Sequence, residues 1–448
     1  MSNPNEPIPC RLLLDAGWVL PVAPENTALE NHAVAIDGDR ILEVGPREAL
    51  RERYQPEQHL VWDEAILTPG LINGHAHSGL SLLRGIAEDL PLQRWLQEQI
   101  WPLEGQLVNE TFVRTGTNLA IAEMLGAGIT CFTDMYFFPE IGAICAQEAG
   151  IRAQLAFPIF EGANAWADSA ADCFHKGLAL HDTYRDDALI TTAFGPHAPY
   201  TVSRENLERV HMYAQEIGIG VHIHLHENAE EVSEARRTIG GSYIDLLHSI
   251  GLINPQLQAV HMTQMTAADI ELFADAGAHI VHCPASNMKL ASGACPIDAI
   301  LDAGVTLALG TDSAASNNSL NLLTDARLAA LLAKHSTQRA DAGSVHALFE
   351  AATLGGARAM GREADLGSLE AGKLADLAVF QATGPGAMPM YDPFAALIHT
   401  DAWQATDVWV AGEPVLTDRQ PTRIDMEMLN REVGREQARA IEVEEKLR

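Results

Sequence analysis

The sequence predicts an α/β protein built on a closed parallel (β/α)8 barrel of the TIM type, with a small composite β-sandwich formed by both chain ends. Three observations lead there. Between residues 65 and 315, eight short apolar or β-branched runs alternate with amphipathic helical stretches, the pattern of βαβ units and a parallel sheet. Eight units over about 250 residues match the size of such a barrel. Polar residues, histidines above all, recur at the C-terminal ends of these runs, which is where a barrel carries its chemistry.

The runs are "AILTPGLINGHAH", "GITCFTDM", "RAQLAFPIF", "ITTAFGPHAPY", "GVHIHLHE", "AVHMTQM", "AHIVHCPAS" and "TLALGTDSAAS". Helices are expected between them over 110–127, 203–217, 228–250 and 266–276. An open doubly wound sheet would accommodate the same alternation, but no G-x-G-x-x-G or Walker-type loop supports it. Residues 10–64 and 366–418 read instead as short strands joined by glycine turns, one of them at Asp37-Gly38-Asp39. The expected division is a composite β-sandwich from 1–64 and 365–420, a catalytic barrel over 65–364, and a charged C-terminal helix over 421–448. That helix reads as a solvated packing element, with an oligomer contact as its second reading; a homo-oligomer is expected.

Bulk composition narrows the function. Lys and Arg total 29 against 60 Asp and Glu, a formal charge of -31. Nucleic acid and anionic membranes reward basic surface, so neither is expected as a partner. The six cysteines form no C-x-x-C pair and sit in apolar surroundings, as reduced buried thiols do. The N-terminus lacks a basic start and a sustained apolar stretch, and no apolar run is long enough to span a bilayer. A cytoplasmic protein acting on a small molecule is the expectation.

The segment "NGHAHSG" places His75 and His77 two apart at the end of an apolar run. Side chains at that spacing share one face of a strand. A catalytic zinc-type site needs three or four His or carboxylate ligands and an open position. The run "VHIHLHE" offers His222, His224 and His226, and spacing alone does not choose among them. Asp312 in "LGTDSAASNNS" adds a carboxylate, although standing alone an Asp-Ser pair reads as a helix cap or turn sooner than as a ligand. Glu227, taken alone, reads as an acidic residue favoured at a helix start.

The ordered set "TPGLINGHAHSGLSLLRG", "GPHAPYT", "HLHENAEEV", "HCPASNMKLASG", "LGTDSAASNNSLNLL" and "GSLEAGKLADLAV" resembles the amidohydrolase superfamily, specifically its 5-methylthioadenosine/S-adenosylhomocysteine deaminase group. The resemblance runs over nearly the whole chain. It implies that His75, His77, His224 and Asp312 bind one divalent metal, zinc before iron or manganese. It also implies that Glu227 carries protons and touches substrate, that His261 polarises the attacking hydroxide, and that Asp312 takes part in catalysis. His197 and Glu104 resemble substrate contacts, with Glu104 holding the ribose hydroxyls. Two-metal relatives bridge their ions with a carboxylated lysine; no lysine lies between Lys176 and Lys289.

The implied reaction is hydrolytic deamination of 5'-methylthioadenosine, with S-adenosylhomocysteine or adenosine as further substrates, to the inosine analogue and ammonia. Guanine or 8-oxoguanine deamination and triazine hydrolysis on the same scaffold form the alternative, against which a ribose-holding Glu104 argues. A silent metal-binding scaffold would have lost one of Glu227, His261 and Asp312, and all are present. The segment after the third run contains no arginine between Arg152 and Arg185 but offers Phe160 and Trp166. That favours a thiomethyl group over an amino-acid tail.

Overall fold

The computed structural model describes residues 7–447. Eight parallel strands pair in sequence order: β1 (Leu71–Ala76), β2 (Ile129–Asp134), β3 (Arg152–Ile159), β4 (Ile190–Pro196), β5 (Gly220–Leu225), β6 (Leu257–His261), β7 (His279–His282) and β8 (Leu307–Leu309). β2 and β3 are buried along their whole length, as strands covered on both faces must be. The first and last strands meet at a tight seam. Asp312 N–H donates to His75 O at 2.9 Å, and Thr311 N–H donates to Asn73 Oδ1 at 3.0 Å. A Cβ at Gly74 would lie 3.0 Å from Leu309 O, and one at Gly310 would lie 2.9 Å from the His75 nitrogen. Glycine at both positions lets the two backbones approach.

Helices at Glu110–Gly126, Arg204–Ile217 and Ala267–Ala276 fall where the spacing predicts. The stretch expected as one helix over 228–250 divides into Ala229–Thr238 and Tyr243–Ser249. Gly240, at φ 75°, breaks the first helix, and a capping box on Ser242 and Asp245 starts the second. The run "AILTPGLINGHAH" is also divided. Its first half ends the long strand Tyr54–Pro69 of the outer sheet, and β1 begins beyond Gly70. A side chain at Gly70 would strike Thr130, its Cβ standing 2.0 Å from the hydroxyl oxygen.

Both chain ends build that outer sheet, an eight-stranded mixed sheet. Tyr54–Pro69 joins its halves, pairing parallel with Ile8–Val19 and antiparallel with Leu377–Ala382. Leu12, Leu14 and Ile36 from one end share a buried cluster with Leu377, Val379 and Trp409 from the other. A buried ion pair fastens this sheet to the barrel: Arg152 Nε donates to Asp376 Oδ2 at 2.7 Å, both side chains 5% exposed or less.

Between β1 and the next long helix the chain makes a 3-10 turn, Ser78–Leu83, and a helical segment from Leu92 to Leu107. The middle of that segment, Trp95–Ile100, is wound as a π-helix, a form common at functional sites. The C-terminal helix Met426–Leu447 braces it: Val433, Ala440 and Val443 join the apolar cluster of Leu103 and Leu107, and Arg439 Nη2 donates to Gln106 O at 3.0 Å. All six cysteines are buried and free. Among the described residues, no helix is long and apolar enough to cross a membrane.

Candidate metal centre and active site

The site occupies the C-terminal mouth of the barrel. Three of its strand ends turn through left-handed backbone at non-glycine residues: His226 (φ 49°), His261 (φ 76°) and Asp312 (φ 57°). Such conformations cost about 1–3 kcal/mol each and gather at functional sites. Here they swing the chain off the strand while the side chains stay buried.

Four donor atoms converge. His224 Nε2 lies 3.2 Å from His75 Nε2 and 3.3 Å from His77 Nε2. Asp312 Oδ1 lies 3.5 and 3.4 Å from the Nε2 atoms of His75 and His77. A tetrahedral ion with bonds of about 2.0–2.2 Å holds its donors roughly 3.3–3.6 Å apart. His75, His77 and Asp312 lie within reach of one ion, His224 stands against both histidines, and three imidazole nitrogens with a carboxylate oxygen are donors that suit a divalent metal.

Each ring is set with Nε2 facing inward. His77 Nδ1–H donates to Met135 O at 2.5 Å, and His224 Nδ1–H donates to His197 O at 2.7 Å. His75 Nδ1–H donates to His222 Nε2 at 2.7 Å, and His222 Nδ1–H donates to Gln258 Oε1 at 2.8 Å. Carbonyl acceptors oblige each Nδ1 to carry the proton and leave a lone pair on Nε2. Burial, reinforced by the neighbouring histidines, pushes His224 well below the usual imidazole range; burial likewise lowers His75.

The "VHIHLHE" histidines thus separate into three roles. His224 joins the convergent group and His222 stands behind His75. His226 lies beyond the end of β5, and its Nδ1–H donates to Gln264 O at 2.8 Å.

Glu227 is 6% exposed, not a solvated helix-start residue; Asn228 caps that helix instead. Its N–H donates to Glu231 Oε2 at 2.7 Å, and its carboxylate stands 3.7 Å from His261 Nε2. Burial, then the Asp312 and Glu231 charges, raise its carboxyl well above the usual range. His261 stacks on His224 at a ring separation of 5.4 Å, and burial lowers it to about 3. His197 stacks on Phe160 at 4.7 Å, and burial lowers it also to about 3. Glu104 accepts a hydrogen bond from Tyr136 Oη at 2.8 Å; burial raises its carboxyl to about 7 against the opposing effect of that bond.

Most of these groups line one cavity of about 390 Å³, with His75 and His222 outside its lining. His77, His224, Glu227, His261 and Asp312 form its floor, and Leu92, Trp95, Leu96, Ile100 and Trp101 form its roof. Glu104, His197 and Phe160 complete the wall, and no lysine or arginine is among the lining residues. The other aromatic expected there, Trp166, is turned away: its indole N–H donates to Glu140 at 3.1 Å. Sequence reasoning gave no role to His222, Gln258, Tyr136 or the roof. The roof residues show ordinary helical spacing, which reads as core, and the other three act through contacts from distant strands.

Barrel, composite sheet and metal-binding mouth together define a class, and the chain belongs to the amidohydrolase family, whose model matches residues 66–415. A bacterial imidazolonepropionase-like composite domain matches residues 33–54. Within that class, the chain is 46% identical over 412 residues to a 5-methylthioadenosine/S-adenosylhomocysteine deaminase of Teredinibacter turnerae, covering 92% of this chain and 93% of that one. A protein of the same description from Saccharophagus degradans is 44% identical, with coverage of 93% and 94%. Among solved structures, an adenosine deaminase from Xanthomonas campestris with bound zinc superposes at a TM-score of 0.95, with 44% identity over 97% of this chain and 99% of that one. The zinc complex of an atrazine chlorohydrolase from Arthrobacter aurescens gives 0.88 at 25% identity, covering 95% and 100%.

Proposed function

We propose that the chain is a metal-dependent hydrolytic deaminase of adenine nucleosides that prefers 5'-methylthioadenosine, and that its metal is zinc. The observation that carries this reading is the convergence of His75, His77, His224 and Asp312 beneath Glu227, with Glu104 across the same cavity. His75, His77, His224 and Asp312 would hold the ion. A bound divalent ion lowers the pKa of water toward neutrality, supplying a nucleophile at ordinary pH.

The protein's own groups do the rest. Glu227, in surroundings that favour its proton-bearing form, delivers a proton to the purine ring nitrogen as water oxygen adds to the carbon bearing the amine. Asp312 takes one proton from that water, Glu227 accepts the other as the carbonyl forms, and the proton held by Asp312 passes to the amine, which leaves as ammonia. Positioned acid–base groups of this kind contribute about 10²–10⁴-fold. His261 and His197 stand neutral around the reacting carbon. Glu104 accepts hydrogen bonds from the ribose hydroxyls, a role that a free base would leave empty. The apolar roof and Phe160 suit a thiomethyl group, whereas an amino-acid carboxylate meets no cation among the lining residues.

The test is ammonia release from 5'-methylthioadenosine, S-adenosylhomocysteine, adenosine, guanine and 8-oxoguanine by metal-loaded protein. The expected order puts 5'-methylthioadenosine first and leaves the free bases unreacted. Preference for a free base would sink the reading.

A further inference from the structure

Two consecutive residues after β7 each grip a different group of the site. Ser286 and Asn287 lie on the short helix Pro284–Lys289, and both are fully buried. Ser286 Oγ donates to Asp312 Oδ2 at 2.6 Å. Asn287 Nδ2 donates to His261 Nδ1 at 3.0 Å. The turn is itself anchored. Ala285 N–H donates to the buried Asp325 carboxylate at 3.2 Å. Asn317 Nδ2 donates to the same carboxylate at 3.0 Å and to Thr311 O at 2.8 Å. One carboxylate thereby ties this turn to the strand end that carries Asp312.

The two grips have a consequence for coordination. His261 lies close enough to His75 and His224 for the three rings to hold an ion between them. An amide nitrogen only donates, so the His261 Nδ1 that receives it must be the lone-pair nitrogen, and the ring proton sits on Nε2. A nitrogen that carries a proton has no lone pair for a metal. Turning the amide over would present its oxygen to Nδ1–H and aim a lone pair from Nε2 at the ion. The orientation present gives the amide N–H an acceptor and leaves Oδ1 without a partner. Orphaned buried donors are rarer than under-satisfied acceptors. On the other side, the Ser286 hydroxyl and the Ser313 N–H fix the two oxygens of Asp312, at 2.6 Å from Oδ2 and 2.7 Å from Oδ1, and this orientation makes Oδ1 the oxygen that faces His75 and His77.

We propose that Ser286 and Asn287 are positioning residues that set the coordination number of the site: Asn287 holds His261 as its Nε2–H tautomer, a hydrogen-bond donor to the cavity and not a fifth ligand, and Ser286 restricts Asp312 to one oxygen. This rests on the metal-ligand set proposed above.

Two measurements test it. Nitrogen NMR of zinc-loaded protein, ¹⁵N-labelled at its histidine rings, is expected to show His261 neutral with its proton on Nε2, while His75, His77 and His224 carry theirs on Nδ1. A His261 ring protonated on Nδ1 overturns the proposal without needing any variant to fold. The second uses cobalt(II)-substituted protein and Asn287→Asp, whose carboxylate accepts from Nδ1–H and frees Nε2. The expected result is a weaker visible absorption as coordination rises, cobalt held at least ~10-fold more tightly against a chelator, and kcat lowered at least ~10-fold with KM little changed. An unaltered cobalt spectrum and affinity in a folded Asn287→Asp overturns the proposal. Should His224→Ala keep its full complement of metal, the ligand set itself fails, a result separate from either of these.

Discussion

The floor and the roof of the cavity are built by opposite means. On the floor, each metal-facing ring has its second nitrogen fixed by a buried partner: Met135 O, His197 O, or the His222–Gln258 chain. Hydrogen bonds are directional and hold atoms to narrow distances. The roof comes from one stretch, Leu92–Leu107, and meets the cavity mainly through leucine, isoleucine and tryptophan. Apolar contact is non-directional and tolerates changes of shape. Under the proposed function, the floor governs whether the reaction occurs, and the roof and walls govern which nucleoside is taken.

The largest effect should come from the floor. Asp312→Ala or His224→Ala is expected to lose most of the metal and at least ~10³-fold in activity, since metal polarisation is worth several kcal/mol. Trp101→Ala in the roof should keep its metal in full. Elemental analysis that finds full occupancy in Asp312→Ala would break the contrast. Next, Glu227→Gln should retain metal and substrate binding yet turn over at least ~10²-fold more slowly. Near-normal kcat in that variant would rule out Glu227 as the proton carrier.

Predictions for the walls are smaller and concern selectivity. In competition, 5'-methylthioadenosine should exceed S-adenosylhomocysteine in kcat/KM by at least ~10-fold, about 1.4 kcal/mol, because the cavity offers no cation to the amino-acid carboxylate. Equal use of the two substrates would mean a cation reaches the site from elsewhere. The last prediction is a pH dependence. Burial pushes the Glu104 carboxyl up to about 7, and its ionised form is the better acceptor for ribose hydroxyls. KM for ribonucleosides should fall up to ~10-fold between about pH 6 and pH 8, while 2',3'-dideoxy analogues show no such trend. The raised pKa also opposes folding as pH climbs from about 4.5 to about 7, because the folded chain keeps a proton that the unfolded chain releases. Glu231 and Asp325, also raised to about 7 by burial, act in the same direction, so Glu104→Gln should lessen the slope of melting temperature against pH, and an unchanged slope would exclude Glu104 as a contributor.

Much of the floor was legible in the sequence because it depends on local periodicity. His75 and His77 share a face through their spacing, and Asp312 follows an apolar run at a strand end. The choice among His222, His224 and His226 was not local. It depends on how β5 sits across the barrel from β1, and on a left-handed turn at His226 that strand periodicity does not anticipate. Glu227 on its own resembled surface, and only packing against His261 and Thr263 makes it a buried acid; Thr263 Oγ1 donates to its carbonyl at 2.7 Å. Trp166 was misplaced because its indole N–H found a carboxylate partner outside the cavity. The outer sheet was legible as strands at both ends, but its splice through Tyr54–Pro69 absorbed half of a run that reads as one barrel strand.

The seam between β1 and β8 joins the earliest and latest parts of the barrel to be synthesised. His75 and His77 leave the ribosome first, and Asp312 follows only after every other strand. A growing chain therefore holds three of the four proposed donors long before it can present the last. The Asp312 N–H bond to His75 O closes the cylinder and brings that carboxylate to the histidines in the same step. Capture of the proposed metal is then coupled to closure of the barrel, and a loaded molecule would by that fact be one whose last barrel strand is in place.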